Sequence, residues 1–338
     1  MLTVLYPPTI DWHFLFQRPQ QLLLSFAKQG IQSIFCNKDH YLPQSPGIKE
    51  LFPNFFLVNR SNPYAITMPG PPVLWITYPP HVHQLKNYRY QAVVFDALDE
   101  PSEEFSHWRR DAGTIVDQSD LVIASSMKLK NFYEQFGKPV HLVPNGVDFY
   151  HFSAIPPERR IEPFDLKKIP RPRICFSGAL ANWIDWKLVE SVSKLCPDFS
   201  FVFIGPSLGD ISIPHEPNLY YLGLKSYRQL PLYFFFTDVL IIPFRVSSMT
   251  KACNPIKFWE YLASGKPVVS TGLPEVAQYN VAAIADNPGD FAEAVKQALN
   301  SASEVNARNT RMNLAEANSW ERRARTVIEL IRDTVKQS

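Results

Sequence analysis

Residues 254–270 read NPIKFWEYLASGKPVVS, and this stretch predicts a short helix that runs directly into a buried strand. Pro255 marks the start of the helix, because a proline in the first turn loses no hydrogen bond and the free N–H groups there attract anions. Lys257 adds a point charge in the same turn, and Glu260 projects from the same face three residues later. Gly265 ends the helix, and the apolar run that follows begins the strand. The pattern indicates a phosphate-binding helix end beside a carboxylate that can accept two ribose hydroxyls.

Length and composition predict a two-domain protein. The 338 residues, 46% of them hydrophobic, suffice for two cores. The 34 basic and 32 acidic residues nearly cancel, so the net charge gives no reason to expect a nucleic-acid partner. No apolar run approaches the ~20 residues needed to span a bilayer, and residues 1–6 run into prolines rather than into a signal-peptide core. We therefore expect a cytoplasmic protein, with peripheral contact at the inner face of the membrane left open.

The sequence gives no support for a metal or an organic cofactor. Its four cysteines are far apart and show no metal-ligand spacing, and His81 and His83 have no third ligand nearby. Neither G-x-G-x-x-G nor G-x-x-x-x-G-K-[ST] occurs, so the usual motifs of dinucleotide and ATP binding are missing. We expect no metal and no cofactor, and a phosphate that is bound by other means.

Short apolar runs alternate with amphipathic stretches along the chain, which predicts an α/β fold with two doubly wound parallel sheets. Residues 164–172 have the composition of a linker. The predicted domains are therefore 1–163 and 173–318, followed by a C-terminal helix at 319–338. The predicted strands are residues 3–6, 32–36, 73–76, 92–95, 121–124 and 140–143 in the first domain, and 173–177, 199–204, 239–242, 268–270 and 281–285 in the second. Because ligands of open sheets gather at the carboxyl ends of the strands, we expect the functional loops there.

Further motifs accompany the 254–270 stretch in a fixed order along the chain. They are Trp12 with QRPQQL at 17–22, FDALDE at 95–100, SDLVIASS at 119–126, VPNGVD at 143–148, Gly178 with Asp185, IGP at 204–206 and LG at 222–223. In this order they resemble the motifs of retaining GT-B glycosyltransferases, above all the family 4-like bacterial enzymes of teichuronic-acid and exopolysaccharide synthesis. The resemblance implies two Rossmann-like domains facing a cleft, with the last helix crossing back to the first domain.

The resemblance also implies a hexosyl-type transferase that moves a sugar from a nucleotide-sugar donor to a glycan or lipid-linked acceptor, with retention and without a metal. Such a reaction needs the diphosphate leaving group neutralised and the anomeric carbon held against an acceptor hydroxyl. Lys257 and Arg245 are the predicted cations, although Arg245 could equally be a surface residue paired with an acid. The predicted donor site comprises Gly178, Trp183, Asp185, Arg245, Asn254, Pro255, Ile256, Lys257 and Glu260, with Lys257 also a catalytic candidate.

Four residues of the first domain are candidates on the acceptor side. Asp96 and Asp99 follow a predicted strand and could orient or deprotonate the acceptor, or either could cap the helix predicted to begin near residue 102. Arg18 could hold an anionic acceptor or a donor phosphate, and it is equally consistent with a carboxylate-paired residue at a helix start. Trp12 is predicted to lie on the same acceptor or phosphate side.

Two features depart from the family pattern. Ala252, eight residues before Glu260, stands where the family usually carries a first glutamate. In the family that first glutamate usually touches the donor sugar. The loop from Gly178 to Asp185 lacks the usual arginine and lysine. These departures motivate one alternative, a non-catalytic sugar-nucleotide-binding or scaffold subunit. A second alternative is an epimerase of the same architecture, which would need acid–base carboxylates around the sugar, and the sequence offers no second carboxylate near Glu260.

The basic run from Lys167 to Arg173, with Phe164 upstream, has two interpretations. It could face anionic lipid, which would suit a lipid-linked acceptor. It is more often a solvated linker, and no long basic amphipathic helix accompanies it.

Overall fold

The computed structural model describes residues 2–337, and the chain divides into two compact units. Unit 1 comprises Met1–Asn145, Ala252–Asn254 and Trp320–Ser338, and unit 2 comprises Gly146–Lys251 and Pro255–Ser319. The chain therefore passes between the units several times, and the short segment 252–254 belongs to unit 1 although its neighbours in sequence belong to unit 2.

Helices and strands alternate through both units. Numbered in chain order, the strands are β1 (Thr3–Tyr6), β2 (Gln32–Asn37), β3 (Gly47–Phe52), β4 (Phe55–Asn59), β5 (Val73–Ile76), β6 (Ala92–Ala97), β7 (Leu121–Ala124), β8 (Val140–Leu142), β9 (Arg173–Ser177), β10 (Ser200–Ile204), β11 (Leu219–Tyr221), β12 (Val239–Ile242), β13 (Val268–Ser270) and β14 (Ala283–Ile284). The α-helices are α1 (Arg18–Lys28), α2 (Arg109–Asp117), α3 (Met127–Glu134), α4 (Phe149–Ser153), α5 (Phe164–Lys167), α6 (Trp186–Leu195), α7 (Leu230–Phe235), α8 (Ser248–Ala252), α9 (Ile256–Ala263), α10 (Pro274–Ala277), α11 (Pro288–Asn300), α12 (Val305–Ala317) and α13 (Trp320–Gln337).

Unit 1 is built on an eight-stranded sheet with the strand order β3-β4-β2-β1-β5-β6-β7-β8. Every strand pair is parallel except β3 with β4. Continuous apolar runs such as VLWI in β5 are buried throughout, as expected for strands covered on both faces. Helix α1 buries Leu22, Leu23 and Phe26 and packs against α13, where the side chain of Gln29 donates a hydrogen bond of 3.0 Å to the carbonyl of Glu321.

The antiparallel hairpin of β3 and β4 was not predicted from the sequence. Most of β3 is half-buried or exposed, so it lacks the continuous apolar run that marks the central strands. The turn between the two strands contains Asn54 with φ +65°, a conformation that asparagine tolerates better than most residues. Pro53-Asn54 between two apolar runs is the signal that could have located the hairpin.

Unit 2 is built on a six-stranded sheet with the order β11-β10-β9-β12-β13-β14, in which every pair is parallel. Helix α9 begins at Ile256, so Pro255 is the residue that precedes the helix rather than its first member. Gly265 follows the helix with φ +75°, the left-handed conformation that commonly ends a helix. The helix-to-strand unit predicted from residues 254–270 is confirmed with this shift of one residue.

The boundary between the units differs from the prediction. It lies between Asn145 and Gly146, and residues 146–172 belong to unit 2 rather than to a first domain and a linker. The reason is burial, because Phe152, Leu166 and Ile169 pack into the core of unit 2. Because this segment is rich in proline, the sequence analysis did not recognise these isolated apolar residues as part of a core.

Among the helices that the structure describes, each is too short or too polar to span a bilayer.

Candidate functional site

Two loops at the carboxyl ends of neighbouring strands meet in unit 2. The loop after β9 and the loop after β12 are joined by two backbone hydrogen bonds of 2.8 Å, from the N–H of Arg245 to the carbonyl of Trp183 and from the N–H of Asp185 to the carbonyl of Pro243. Trp183 is half-buried and Arg245 is exposed. The parallel sheet thus brings predicted donor residues from separate loops together at the edge where open sheets bind ligands.

Gly178 provides space for the side chain of Lys257. A Cβ atom at Gly178 would lie 2.8 Å from Cε and 3.1 Å from Nζ of Lys257, and the backbone of Gly178 has φ +149°. The neighbouring loop requires glycine as well, because a Cβ atom at Gly205 would lie 1.9 Å from the Gly178 carbonyl oxygen. The lysine therefore extends from α9 across the glycine turn that follows β9.

Two aromatic rings flank the ammonium group of Lys257. Its Nζ lies 5.5 Å from the ring centroid of Phe176 and 5.1 Å from that of Phe244. Both distances are within the range of cation–π attraction. Tyr261, on the same helix, accepts a hydrogen bond of 2.8 Å from the backbone N–H of Ser177 and so fixes α9 against the end of β9. Sequence reasoning missed these aromatic residues, although Phe176 lies near the end of one predicted strand and Phe244 lies two residues beyond another.

Glu260 lies one turn further along α9 and is 7% exposed. Its carboxylate accepts no hydrogen bond from the residues that the structure describes, and no side chain caps the start of α9. Burial raises the pKa of Glu260 to about 7, while the positive charge of Lys257 acts in the opposite direction. A buried carboxylate without a hydrogen-bond donor is costly to a protein, so this group is available to a ligand that brings its own donors.

Two other predicted donor residues have partners within the protein. The side chain of Asp185 caps α6 by accepting a hydrogen bond of 2.9 Å from the N–H of Leu188. Asn254 belongs to unit 1, where its side-chain oxygen accepts a bond of 3.2 Å from the N–H of Asn145 and its carbonyl accepts one of 2.6 Å from the Asn145 amide. These hydrogen bonds give Asp185 and Asn254 a structural role, because they hold the backbone around them in place.

Arg18 and Asp96 form a buried ion pair in unit 1. The Arg18 Nε atom lies 3.1 and 2.9 Å from the two carboxylate oxygens of Asp96, and Arg18 Nη1 donates a bond of 3.1 Å to the side chain of Asn145. The exposure of Arg18 is 1% and that of Asp96 is 0%. Arg18 is thus the carboxylate-paired residue at a helix start that the sequence offered as an alternative. Asp96, one of the two candidate acceptor bases, is therefore already paired within the protein.

Asp99 retains partial exposure and accepts no hydrogen bond from the described part of the chain. Burial raises its pKa to about 6. Asp99 does not cap the next helical segment, the 3-10 helix at Glu103–Trp108, because Ser102 is the residue that precedes that segment. The Ser102 hydroxyl donates a hydrogen bond to Glu100. Trp12 is 7% exposed and packs edge-on against Phe16, so its placement is that of a core residue.

Ala252, at the position of the family's first glutamate, is fully buried in the core of unit 1. Its carbonyl accepts a hydrogen bond of 2.6 Å from the Ser126 hydroxyl. A charged side chain at this position would have to be buried among apolar residues.

Over residues 2–337, no group of three histidine, cysteine, aspartate or glutamate side chains is arranged to hold a metal ion.

Comparison with known proteins supports a glycosyltransferase function for the chain. The family model described as Glycosyl transferases group 1 matches residues 171–301, which contain β9, α9 and the loops around Lys257. A Bacillus subtilis protein named "Putative teichuronic acid biosynthesis glycosyltransferase TuaH" is 27% identical over 275 residues, which cover 73% of this chain and 68% of that protein. The chain is a glycosyltransferase.

Solved structures similar to this glycosyltransferase show its fold. Sucrose-phosphate synthase from Thermosynechococcus elongatus superposes with a TM-score of 0.77 at 14% identity, covering 99% of both chains. Anabaena HepE, solved in complex with UDP-glucose, gives a TM-score of 0.69 at 12% identity over 98% of this chain and all of that chain. The glycosyltransferase therefore has the GT-B fold, with two doubly wound α/β units, as the sequence motifs predicted.

Proposed function

We propose that this glycosyltransferase binds a nucleoside-diphosphate sugar on unit 2 and transfers the sugar, with retention and without a metal, to a glycan or lipid-linked acceptor of cell-surface polysaccharide synthesis. The observation that supports it best is the pair on α9: a lysine extended across a glycine turn beside a buried carboxylate with no hydrogen-bond donor of its own. The name of the Bacillus relative supports the acceptor class, and the UDP-glucose complex of HepE supports the donor class.

The two members of the pair have separate roles in this proposal. Lys257 and the first N–H groups of α9 neutralise the diphosphate, first in the ground state and then as negative charge grows on the leaving group. Glu260 accepts hydrogen bonds from the two ribose hydroxyls. Because those hydroxyls are donors, the bound nucleotide satisfies a carboxylate that the protein leaves unpaired. In this proposal the positive charge of Lys257 neutralises the diphosphate, as a metal ion does in other transferases, so the reaction needs no metal ion.

On the acceptor side we propose Asp99 as the group that orients or deprotonates the incoming hydroxyl. Asp96 lies in β6 and Asp99 follows that strand, and Asp99 is the one of the two without an ion-pair partner among the described residues. A pKa of about 6 leaves the carboxylate ionised at neutral pH and close enough to the working pH to accept a proton. The rate should accordingly rise as the pH increases through 6.

A transfer assay with the purified protein tests the function directly. We expect release of nucleoside diphosphate from a UDP-, GDP- or ADP-sugar that increases when a glycan or lipid-linked acceptor is added, and that persists in EDTA. Proton NMR of the product should show the anomeric configuration of the donor. Tight donor binding without hydrolysis or transfer would favour the non-catalytic subunit, which the buried Ala252 makes the leading rival. Isomerised donor without an acceptor would instead favour an epimerase.

Lys257→Ala should weaken binding of nucleoside diphosphates much more than binding of the corresponding nucleoside. A charged hydrogen bond to phosphate contributes about 1.5–3 kcal/mol, so we expect a loss of roughly one to two orders of magnitude in diphosphate affinity. Calorimetric titration with UDP and with uridine measures both. Lys187→Ala, an exposed lysine on α6, serves as the matched control. Equal losses for diphosphate and nucleoside would contradict the phosphate role of Lys257.

A further inference from the structure

Three of the most solvent-exposed large apolar side chains in the described chain lie within fifteen residues of one another in sequence. Tyr150 and Ile161 are each 73% exposed and Phe164 is 75% exposed. All three belong to unit 2, in the region that the sequence analysis treated as a first-domain end and a linker. We call residues 150–168 the 150–168 surface. Three apolar side chains left this exposed within one short segment indicate a binding surface.

The structure neutralises two of the three acids in this surface. Glu162 pairs with the buried guanidinium of Arg173. Asp165 pairs with Lys225 at 2.7 Å and accepts a hydrogen bond of 2.9 Å from the hydroxyl of Tyr233. Arg173, Lys225 and Tyr233 all lie outside residues 150–168. The positive charges within the surface are therefore not balanced by its own acids.

The cations of the surface remain available to an anion. Arg159 and Lys167 are exposed, and neither has an ion-pair partner among the described residues. The Nζ atom of Lys168 lies 4.2 Å from the ring centroid of Phe164, so a cation and the most exposed apolar ring are adjacent. Only Glu158 remains as an unpaired acid in the segment.

A small basic cavity adjoins the same segment. Its volume is about 50 Å³, and its wall includes Arg160 and Arg308 with Phe235 but no acidic side chain. The guanidinium of Arg160 lies 5.2 Å from the centre of the Phe235 ring. Two arginines beside an apolar ring match the phosphate of a lipid headgroup and the acyl chains next to that headgroup.

We propose that the 150–168 surface binds the headgroup region of an anionic phospholipid bilayer, independently of the donor site. Interleaved aromatic, aliphatic and cationic side chains are the combination that inserts apolar groups at the acyl boundary while cations contact anionic headgroups. Each cation near such a surface adds to the attraction for the anionic headgroups. The unpaired cations favour an anionic lipid surface over an apolar protein partner, because an apolar partner would not need those charges. Binding should be reversible and sensitive to salt.

Co-sedimentation of the full chain with vesicles tests the proposal. We expect binding to phosphatidylcholine vesicles that contain phosphatidylglycerol, little binding to pure phosphatidylcholine, and release at high salt. The double variants Ile161→Ser with Phe164→Ser, and Lys167→Glu with Lys168→Glu, should each lower the partition coefficient by about tenfold or more. Donor affinity, measured by calorimetry on the same samples, should stay unchanged and thereby show that the variants are folded.

Matched controls lie on other helices of unit 2. Leu195→Ser on α6 removes an apolar side chain that is 50% exposed, and Lys296→Glu on α11 reverses an exposed charge. Helices α6 and α11 pack against each other, whereas α4, which holds Tyr150, packs against α7, α9 and α12. Both controls should bind vesicles like the wild type. Absence of binding to anionic vesicles, equal binding to neutral ones, or equal losses in the controls would overturn the proposal. A dimer in light scattering without vesicle binding would also overturn it, with a second copy of the chain as the occupant.

Discussion

Glu260→Gln should stabilise the ligand-free protein at pH 8 and at the same time abolish binding of the nucleotide sugar. Burial raises the pKa of this acid from 4.5 to about 7, so the folded state favours its protonated form. The stability that this preference provides is complete below pH 4.5 and is lost as the pH rises through 7. At pH 8 the ionised acid therefore costs about 3 kcal/mol. Glutamine keeps the shape without the charge and removes that cost.

Thermal melting at several pH values measures this effect. The variant should melt several degrees above the wild type at pH 8, and the difference should disappear below pH 4.5, where the wild-type acid is protonated in both states. Glu316→Gln, at an exposed glutamate on α12, should change neither melting nor binding. A variant that melts below the wild type at pH 8 would show that the Glu260 carboxylate has a donor within the protein and is not kept for a ligand.

Asp96→Asn should destabilise the protein strongly, whereas Asp99→Asn should not. Removing one partner of a buried ion pair leaves the other charge buried and unpaired, which typically costs about 3–5 kcal/mol. Arg18 would be that charge, since its exposure is 1%. Asp99 has no such partner, and its raised pKa means that loss of its charge relieves a burial cost above pH 6. Its replacement should instead lower turnover.

Urea denaturation and the transfer assay separate the two aspartates. Asp96→Asn should lower the urea midpoint with donor affinity retained in the fraction that is folded. Asp99→Asn should raise the urea midpoint above pH 6, because it removes the burial cost of the charge. It should keep the donor affinity and reduce kcat, with loss of the rate increase around pH 6. If Asp99→Asn retains full turnover and its pH profile, Asp99 is not the acceptor base. A normal urea midpoint for Asp96→Asn would show that the ion pair contributes little.

The local patterns of the sequence predicted most of the architecture. Apolar runs of four to six residues identified the central strands, and Pro255 with Gly265 located α9 to within one residue, because these signals act over a few residues only. The same reasoning placed Lys257 and Glu260 on this helix, and their roles in donor binding stay predictions. The aromatic rings around Lys257 were not, since Phe176 and Phe244 reach it only after three separate segments fold together.

Contacts distant in sequence explain the errors. Arg18 and Asp96 are 78 residues apart, and no local pattern shows that an arginine at a helix start will reach the end of a particular strand. The unit boundary was placed too late because single apolar residues such as Phe152 and Leu166 anchor a proline-rich segment to unit 2. In the sequence, Ala252 was noted only as the residue that stands in place of the family's usual glutamate, and the structure places it in the buried core of unit 1.

The most direct test of the account is calorimetric titration of wild type, Glu260→Gln and Lys257→Ala with UDP-, GDP- and ADP-glucose at pH 8. The account predicts that the wild type binds at least one of them, that Glu260→Gln binds none although it is the more stable protein, and that Lys257→Ala binds the same nucleotide more weakly. Wild-type affinity in Glu260→Gln would contradict the claim that α9 holds the ribose and diphosphate.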